Sequence, residues 1–132
     1  MKAFYIDYID GISVNGNNVN DTVSLQGLQA PNFQFAMITQ ASDFNTTRYP
    51  FNGVFGIAYS SGSNAYPSSS NIFQVLKANS QIQNAVFSFY ISPNPSEEGS
   101  KLIIGGYNEK YFSGPIYFSN VTEQPSFTIN YE

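Results

Sequence analysis

Apolar and polar positions alternate through most of this chain with a period of two, the spacing of half-buried strands rather than of helices. Residues Phe4–Tyr8 alternate and are rich in aromatic and β-branched types. Asp10-Gly11 then supplies a hairpin turn, and Ile12–Val14 continues beyond it. Asp21-Thr22-Val23-Ser24-Leu25 repeats the pattern and closes at Gln26-Gly27, while Phe33–Thr39 follows an Ala30-Pro31-Asn32 turn. Ser42–Tyr49 is a polar loop. The alternation breaks at Pro50–Tyr59, where Val54, Phe55, Ile57 and Ala58 form a nearly continuous apolar run with Gly53 and Gly56 let into it. Such a run predicts a strand buried from both sides, its glycines marking close approach of another backbone or a ligand. A polar, Ser-rich loop, Ser60–Ser70, follows.

The one segment with helical spacing is Asn71–Ala78, with Ile72, Phe73, Val75 and Leu76 on one side and Ser70 or Asn71 available as a cap. Beyond it, Val86–Ile91 and Lys101–Gly105 read as strands around a Pro93–Gly99 turn. Pro115–Phe118, Val121–Thr122 and Phe127–Tyr131 read as further short strands. About ten short strands against one short helix predict an all-β fold of closed or orthogonally packed sheets.

Composition narrows the chemistry. A chain of 132 residues is enough for one domain. Only 11% of residues are charged, so Ser and Asn must solvate the surface instead. A net charge of −4 with five basic residues argues against a nucleic-acid partner. With no Cys there is no disulfide framework or thiol chemistry, and with no His as well a zinc site is disfavoured. The lack of His also excludes a Ser-His-Asp or Cys-His nucleophile system within these residues. No apolar run approaches the roughly 20 residues of a membrane span. Met1–Asp7 does not have the form of a signal peptide, because Asp7 ends any apolar core too early. A chain that opens directly on a strand pattern is expected of a piece of a longer protein.

Read in order, eight segments resemble the pepsin-like aspartic proteases, from the active-site flap to the end of the N-terminal lobe. Phe4–Ser13 is similar to the flap hairpin, usually Ile-x-Tyr-Gly-x-Gly-Ser, and Asn20-Asp21-Thr22-Val23 to the Tyr-Asp-Thr-Val that returns from it. Phe51–Tyr59 resembles Phe-Asp-Gly-Ile-Leu-Gly-Leu-Ala-Tyr, and Ile72–Lys77 sits where the family has its Phe-Asp-Asn-Leu helix. Val86–Ile91 resembles Phe-Ser-Phe-Tyr-Leu, and Leu102–Tyr107 resembles Leu-x-Phe-Gly-Gly-Ile-Asp. Tyr111–Ile116 resembles Tyr-Thr-Gly-Pro-Leu, and Phe127-Thr128-Ile129 the Trp-Gln-Ile of the lobe crossing. The resemblance implies a partial pepsin-like lobe over residues 1–132: flap hairpin about 4–14, central motif 50–59, helix about 71–78 and lobe-crossing strands about 115–131.

It also implies an activity, peptide-bond hydrolysis by two carboxylates that share a proton and activate a water, with no cofactor and a peptide or protein as substrate. Each family aspartate sits in an Asp-Thr-Gly or Asp-Ser-Gly loop, and neither tripeptide occurs here; Asp21-Thr22 is followed by Val23. The first family aspartate lies upstream of the flap and the second beyond the lobe crossing, so these residues alone are expected to be inactive. By resemblance, Tyr8 is the flap tyrosine that covers the primary specificity pocket, with Asp10 and Gly11 at the flap tip. Phe51 and Val54, with Phe44, would line the pocket. From composition alone Tyr8 is one strand tyrosine among ten, and Phe51 and Val54 are core. Asp7 and Asp10 do not read as a catalytic pair, since Asp7 points opposite Tyr8 on the strand and Asp10 sits in the turn.

Two departures stand out: Ile9 replaces a flap glycine, and Asn52 replaces the usual Asp of the central motif. They leave a second class open, a non-catalytic peptide- or protein-binding protein derived from the protease fold. Three sequons, at Asn20, Asn45 and Asn120, would accept glycans in a secretory parent. The resemblance implies the secretory pathway, lysosome or vacuole, or the extracellular space.

Overall fold

The computed structural model describes residues 3–8, 11–42, 55–59, 71–94 and 99–122. Strands dominate them. β1 (Ala3–Asp7), β2 (Ser13–Leu25) and β3 (Leu28–Ser42) form an antiparallel sheet in the order β1-β2-β3. β1 meets β2 in a register that runs from Ala3↔Asn17 to Asp7↔Ser13. β2 is 13 residues long and unites Ser13-Val14 with Asp21–Leu25, which the apolar pattern separates. Their polar connection, Asn15–Asn20, lacks alternation but pairs along β3, so the ladder carries it as strand. The turn into β3 holds Gln26 at φ 47° and Gly27 at φ 90°, a two-residue loop whose twist matches the strands it joins.

Two bulges bend β3. At the first, Pro31 and Asn32 face the single residue Thr22, between the pairs Asp21↔Phe33 and Val23↔Ala30. The turn expected at Ala30-Pro31-Asn32 is therefore a bulge inside one strand. Pro31 offers no N–H, and Asn32 takes φ 53°, so both sit where the ladder is interrupted. At the second, Thr39 is the extra residue between Asn15↔Gln40 and Gly16↔Ile38. A Cβ on Gly16 would lie 2.1 Å from the carbonyl oxygen of Met37, so this close approach admits only glycine.

The helix forms where its spacing predicts, α1 at Ile72–Ala78. Asn71 caps it, its side-chain oxygen accepting from the Gln74 N–H at 3.0 Å. After it come β4 (Phe87–Tyr90) and β5 (Lys101–Ile104), an antiparallel pair in which β4 is one residue shorter at each end than its expected run and β5 one residue shorter at its C-terminal end. Glu109–Tyr111 adds a single 3-10 turn that the sequence pattern does not announce.

Burial is concentrated in two clusters. The larger gathers Ile72, Phe73 and Leu76 of α1 with Ala30 of β3, and Val23, Leu25, Leu28, Ile82, Phe87 and Ile104 pack around them. Phe73 stacks on Phe87 with ring centroids 5.1 Å apart, which joins the helix to the two-stranded sheet. The smaller cluster gathers Phe4, Ile12 and Val14, flanked by Ile6 and Ala36. Val14 and Val23 have opposite parity along β2, so strand alternation puts the clusters on opposite faces of the three-stranded sheet.

Two expectations are corrected here. The described part of the 50–59 motif, residues 55–59, forms no ladder, and Phe55 is half exposed. Only Ile57 packs against a core cluster, because no described strand runs beside the segment to take its hydrogen bonds. Likewise 115–118 and 121–122 lie outside any ladder, with Tyr117 and Phe118 almost fully exposed. Phe127–Tyr131 and most of the loops expected at 42–49 and 60–70 lie outside the described residues. Among the described residues, no helix is long and apolar enough to cross a membrane.

Candidate functional site

The β1–β2 hairpin carries the described part of the candidate site. Past the last ladder pair, the Tyr8 N–H donates to the Ile12 carbonyl at 2.8 Å and the Gly11 N–H donates to the Tyr8 carbonyl at 3.0 Å. These two bonds close a three-residue loop. Gly11 takes φ 87°, the left-handed position that such a loop requires at its end. Nothing lies within 4 Å of where its Cβ would be, so the demand for glycine here comes from the backbone angle and not from crowding.

Alternation gives Tyr8 the same face as Phe4 and Ile6. At 37% exposure it lies beyond them beside the loop, its backbone bonded to that of Ile12 in the smaller apolar cluster. A phenol in that position offers a flat apolar surface and a hydroxyl to whatever approaches the hairpin from that side.

The opposite face of the hairpin is polar and joined across strands. The Asp7 carboxylate accepts from the hydroxyls of both Tyr5 and Ser13. Ser13 is tied in turn to β3: its N–H donates to the Ser42 hydroxyl oxygen at 3.2 Å, and the Ser42 hydroxyl donates to the Ser13 carbonyl at 3.4 Å. The two hydroxyls, Ser13 first, hold the Asp7 carboxyl below its ordinary value of 3.8, against a small opposing effect of desolvation. The sequence reading excludes Asp7 from a catalytic pair and gives it no further role. The available signal was the i, i+2 spacing of Tyr5 and Asp7 together with a hydroxyl residue just past the turn.

The structure thus brings Tyr8 and Gly11 together. Asp10, Phe44, Phe51, Val54 and Asn45 lie outside the described residues. Asn20 is exposed on β2, far along the strand from the loop. Its amide donates to Asn32 Oδ1 at 3.2 Å and its oxygen accepts from Gln34 Nε2 at 3.4 Å. Asn120 is exposed in the stretch after β5 that forms no ladder. A separate, open cavity of about 570 Å3 is lined by Tyr107, Glu109, Phe112, Gly114, Ile116 and Phe118. It has a single carboxylate and shares no residue with the hairpin.

Comparison with known proteins places this geometry in context. A family model described as eukaryotic aspartyl protease matches residues 1–132. The chain is 30% identical over 125 residues to gastricsin of Oryctolagus cuniculus, which covers 93% of the chain and 31% of the relative. It is 32% identical over 128 residues to cathepsin E of Cavia porcellus, covering 97% of the chain and 32% of the relative. With cathepsin D of Canis lupus familiaris it shares 29% identity over 142 residues, covering 98% and 33%. The chain spans about a third of the length of these curated relatives.

Proposed function

Because the chain belongs to the eukaryotic aspartyl protease family, we propose that it is the flap-bearing portion of an aspartic endopeptidase lobe. In this reading the hairpin of β1 and β2 covers a bound peptide, and Tyr8 presents its ring to the substrate from the face that carries Phe4 and Ile6. Asp10 and Gly11 form the tip, and Phe44, Phe51 and Val54 line the pocket beneath. The carrying observation is the closed loop at Tyr8–Ile12, with Tyr8 exposed beside it on the face of β1 that carries Phe4 and Ile6. A side chain in that place contacts a peptide without being consumed by the core. The two catalytic carboxylates come from outside these 132 residues, which contain no Asp-Thr-Gly or Asp-Ser-Gly. The substrate is a peptide or protein, and the parent travels the secretory pathway to a lysosomal, vacuolar or extracellular site. Exposed Asn20 and Asn120, with Asn45, are its candidate glycan acceptors.

Transcript sequencing upstream of Met1 tests this directly. An in-frame Asp-Thr-Gly is the expected result, and an in-frame stop would overturn it. A second measurement follows from the chemistry. The purified 132-residue chain should show no proteolysis at acidic pH and no tight binding of a transition-state-like peptide, since no paired carboxylates hold the central hydroxyl of such an inhibitor. Pepstatin-sensitive cleavage by the contaminant-free chain would refute the assignment of the carboxylates to the missing parts.

A further inference from the structure

We propose that Asp7 is a positioning residue for substrate binding: its carboxylate clasps the base of the hairpin loop and so sets where Tyr8 lies against the peptide. The role rests on the reading of this hairpin as the substrate cover. Asp7 touches no substrate in it, since it occupies the opposite face of β1 from Tyr8. It acts through the one peptide bond that separates them.

Three observations carry the role. First, Asp7↔Ser13 is the last pair of the β1–β2 ladder, so the side-chain bond between them closes the strands immediately before the loop. The next bonds outward are those of the loop itself, from Tyr8 N–H to Ile12 and from Gly11 N–H to Tyr8. Second, the clasp spans the sheet. Tyr5 on β1, Ser13 on β2 and Ser42 on β3 are joined in one row through Asp7 and Ser13, so a shift of β1 at the loop is resisted by all three strands. Third, the charge of Asp7 is met by neutral hydroxyls. β1, β2 and β3 contain no Lys or Arg, and their one other acid, Asp21, pairs with Phe33 at the far end of β2. The groups facing Asp7 are the hydroxyls of Tyr5, Ser13 and, through Ser13, Ser42, while Asp10 lies outside the described residues.

The clasp therefore responds to one titration, and its sign is set by the direction of the shift. The hydroxyls stabilise the ionised carboxylate, so its folded-state pKa is below the ordinary 3.8. The contribution is complete above that ordinary value and is lost only as pH falls through the lower value of Asp7 itself. A hairpin held this way stays closed in mild acid, where an unassisted carboxylate has begun to protonate.

The experiment follows the Asp7 carboxyl by carbon NMR and the amide protection of Tyr8 and Gly11 by hydrogen exchange, in the 132-residue chain. The variants are Ser13→Ala, Ser13→Thr, Tyr5→Phe and Asp7→Asn. In the wild type, protection at Tyr8 and Gly11 should fall about threefold or more as Asp7 protonates. Ser13→Ala and Tyr5→Phe should each raise the Asp7 midpoint, Ser13→Thr should restore it, and Asp7→Asn should remove the pH step. With an apolar hexapeptide at millimolar concentration as probe, the Tyr8 ring signals should shift, and should need several-fold more peptide in Asp7→Asn. An Asp7 that titrates at or above 3.8, or a pH step that survives Asp7→Asn, overturns the positioning role while a peptide-responsive Tyr8 leaves the cover reading standing. A clasp that titrates as described beside a Tyr8 that never responds to peptide overturns the cover reading, and the positioning role with it.

Discussion

Truncating Leu76 to alanine tests whether the two apolar clusters are independent. Leu76 is 0% exposed and sits in α1 beside Ile72 and Phe73, against Ala30 of β3. The change removes three carbons, worth roughly 2.4 kcal/mol in lost transfer at about 0.8 kcal/mol each. A cavity term adds to this, bringing core Leu→Ala changes to about 2–5 kcal/mol. The cluster that holds Leu76 is bordered by partly buried Val23, Leu25, Leu28, Val75 and Ile82 rather than by fully buried side chains, which favours partial collapse of the site. We therefore expect a value near 3 kcal/mol, in the lower half of that range. A helix of seven residues cannot hold itself in water and exists here through this packing. Its loss should also release β4 and β5, which meet it through the Phe73–Phe87 stack. The hairpin cluster of Phe4, Ile12 and Val14 shares no residue with the helix cluster and lies on the other face of the sheet. Urea unfolding followed by circular dichroism should move its midpoint down by about 1–3 M, from an m-value of about 1–3 kcal/mol/M. Hydrogen exchange on the variant should show lost protection in α1 and β4 with retained protection across the β1–β2 ladder. A midpoint shift under about 0.3 M, or hairpin amides that lose protection in step with the helix, would refute the division into two clusters.

Further expectations concern single positions and surfaces. Gly16→Ala should destabilise the β2–β3 ladder by at least about 1–3 kcal/mol, because its Cβ meets the Met37 carbonyl at 2.1 Å; a thermal midpoint unchanged from wild type would contradict this. Asn71→Ala should cost about 1 kcal/mol through loss of the cap to Gln74 while Asn71→Ser retains most of it, which equal destabilisation by both would exclude. Phe89, Ile91, Tyr117 and Phe118 are each more than half exposed, so the isolated chain should bind a hydrophobic dye or self-associate. A monodisperse monomer with background dye signal and a sharp thermal transition would count against it.

How much of this was legible beforehand depended on whether the cause was local. The helix was, because its apolar spacing and its Asn cap are contained in eight residues, Asn71 to Ala78. The loop at Tyr8–Ile12 was legible for the same reason: Asp10-Gly11 between two alternating runs signals the turn, and Gly11 at φ 87° occupies the position that needs glycine. Within the site, Tyr8 is singled out by the resemblance of Phe4–Ser13 to the flap hairpin, and its role there remains the proposal made above. Asp7 could not be assigned a role, because its partners, Tyr5 and Ser13, become neighbours only once the register is known. One residue of slip would have turned Asp7 to the other face.

The misread segments share a different cause, since their fate depends on what lies beside them. Ala30-Pro31-Asn32 carries strong turn residues, yet β2 runs alongside and holds the ladder on both sides, so the three residues are absorbed as a bulge. At 55–59 and 115–118 the situation is reversed. These runs have the apolar content of strands, but among the described residues no partner strand runs beside either. A strand gains its hydrogen bonds and most of its burial from neighbours, so apolar sequence alone leaves side chains in water, as Tyr117 and Phe118 are. The exposed aromatic side chains and the unpaired runs are thus one observation. Both are what a sheet looks like where the strands that would complete it are not among the residues described, in a chain that spans about a third of its relatives.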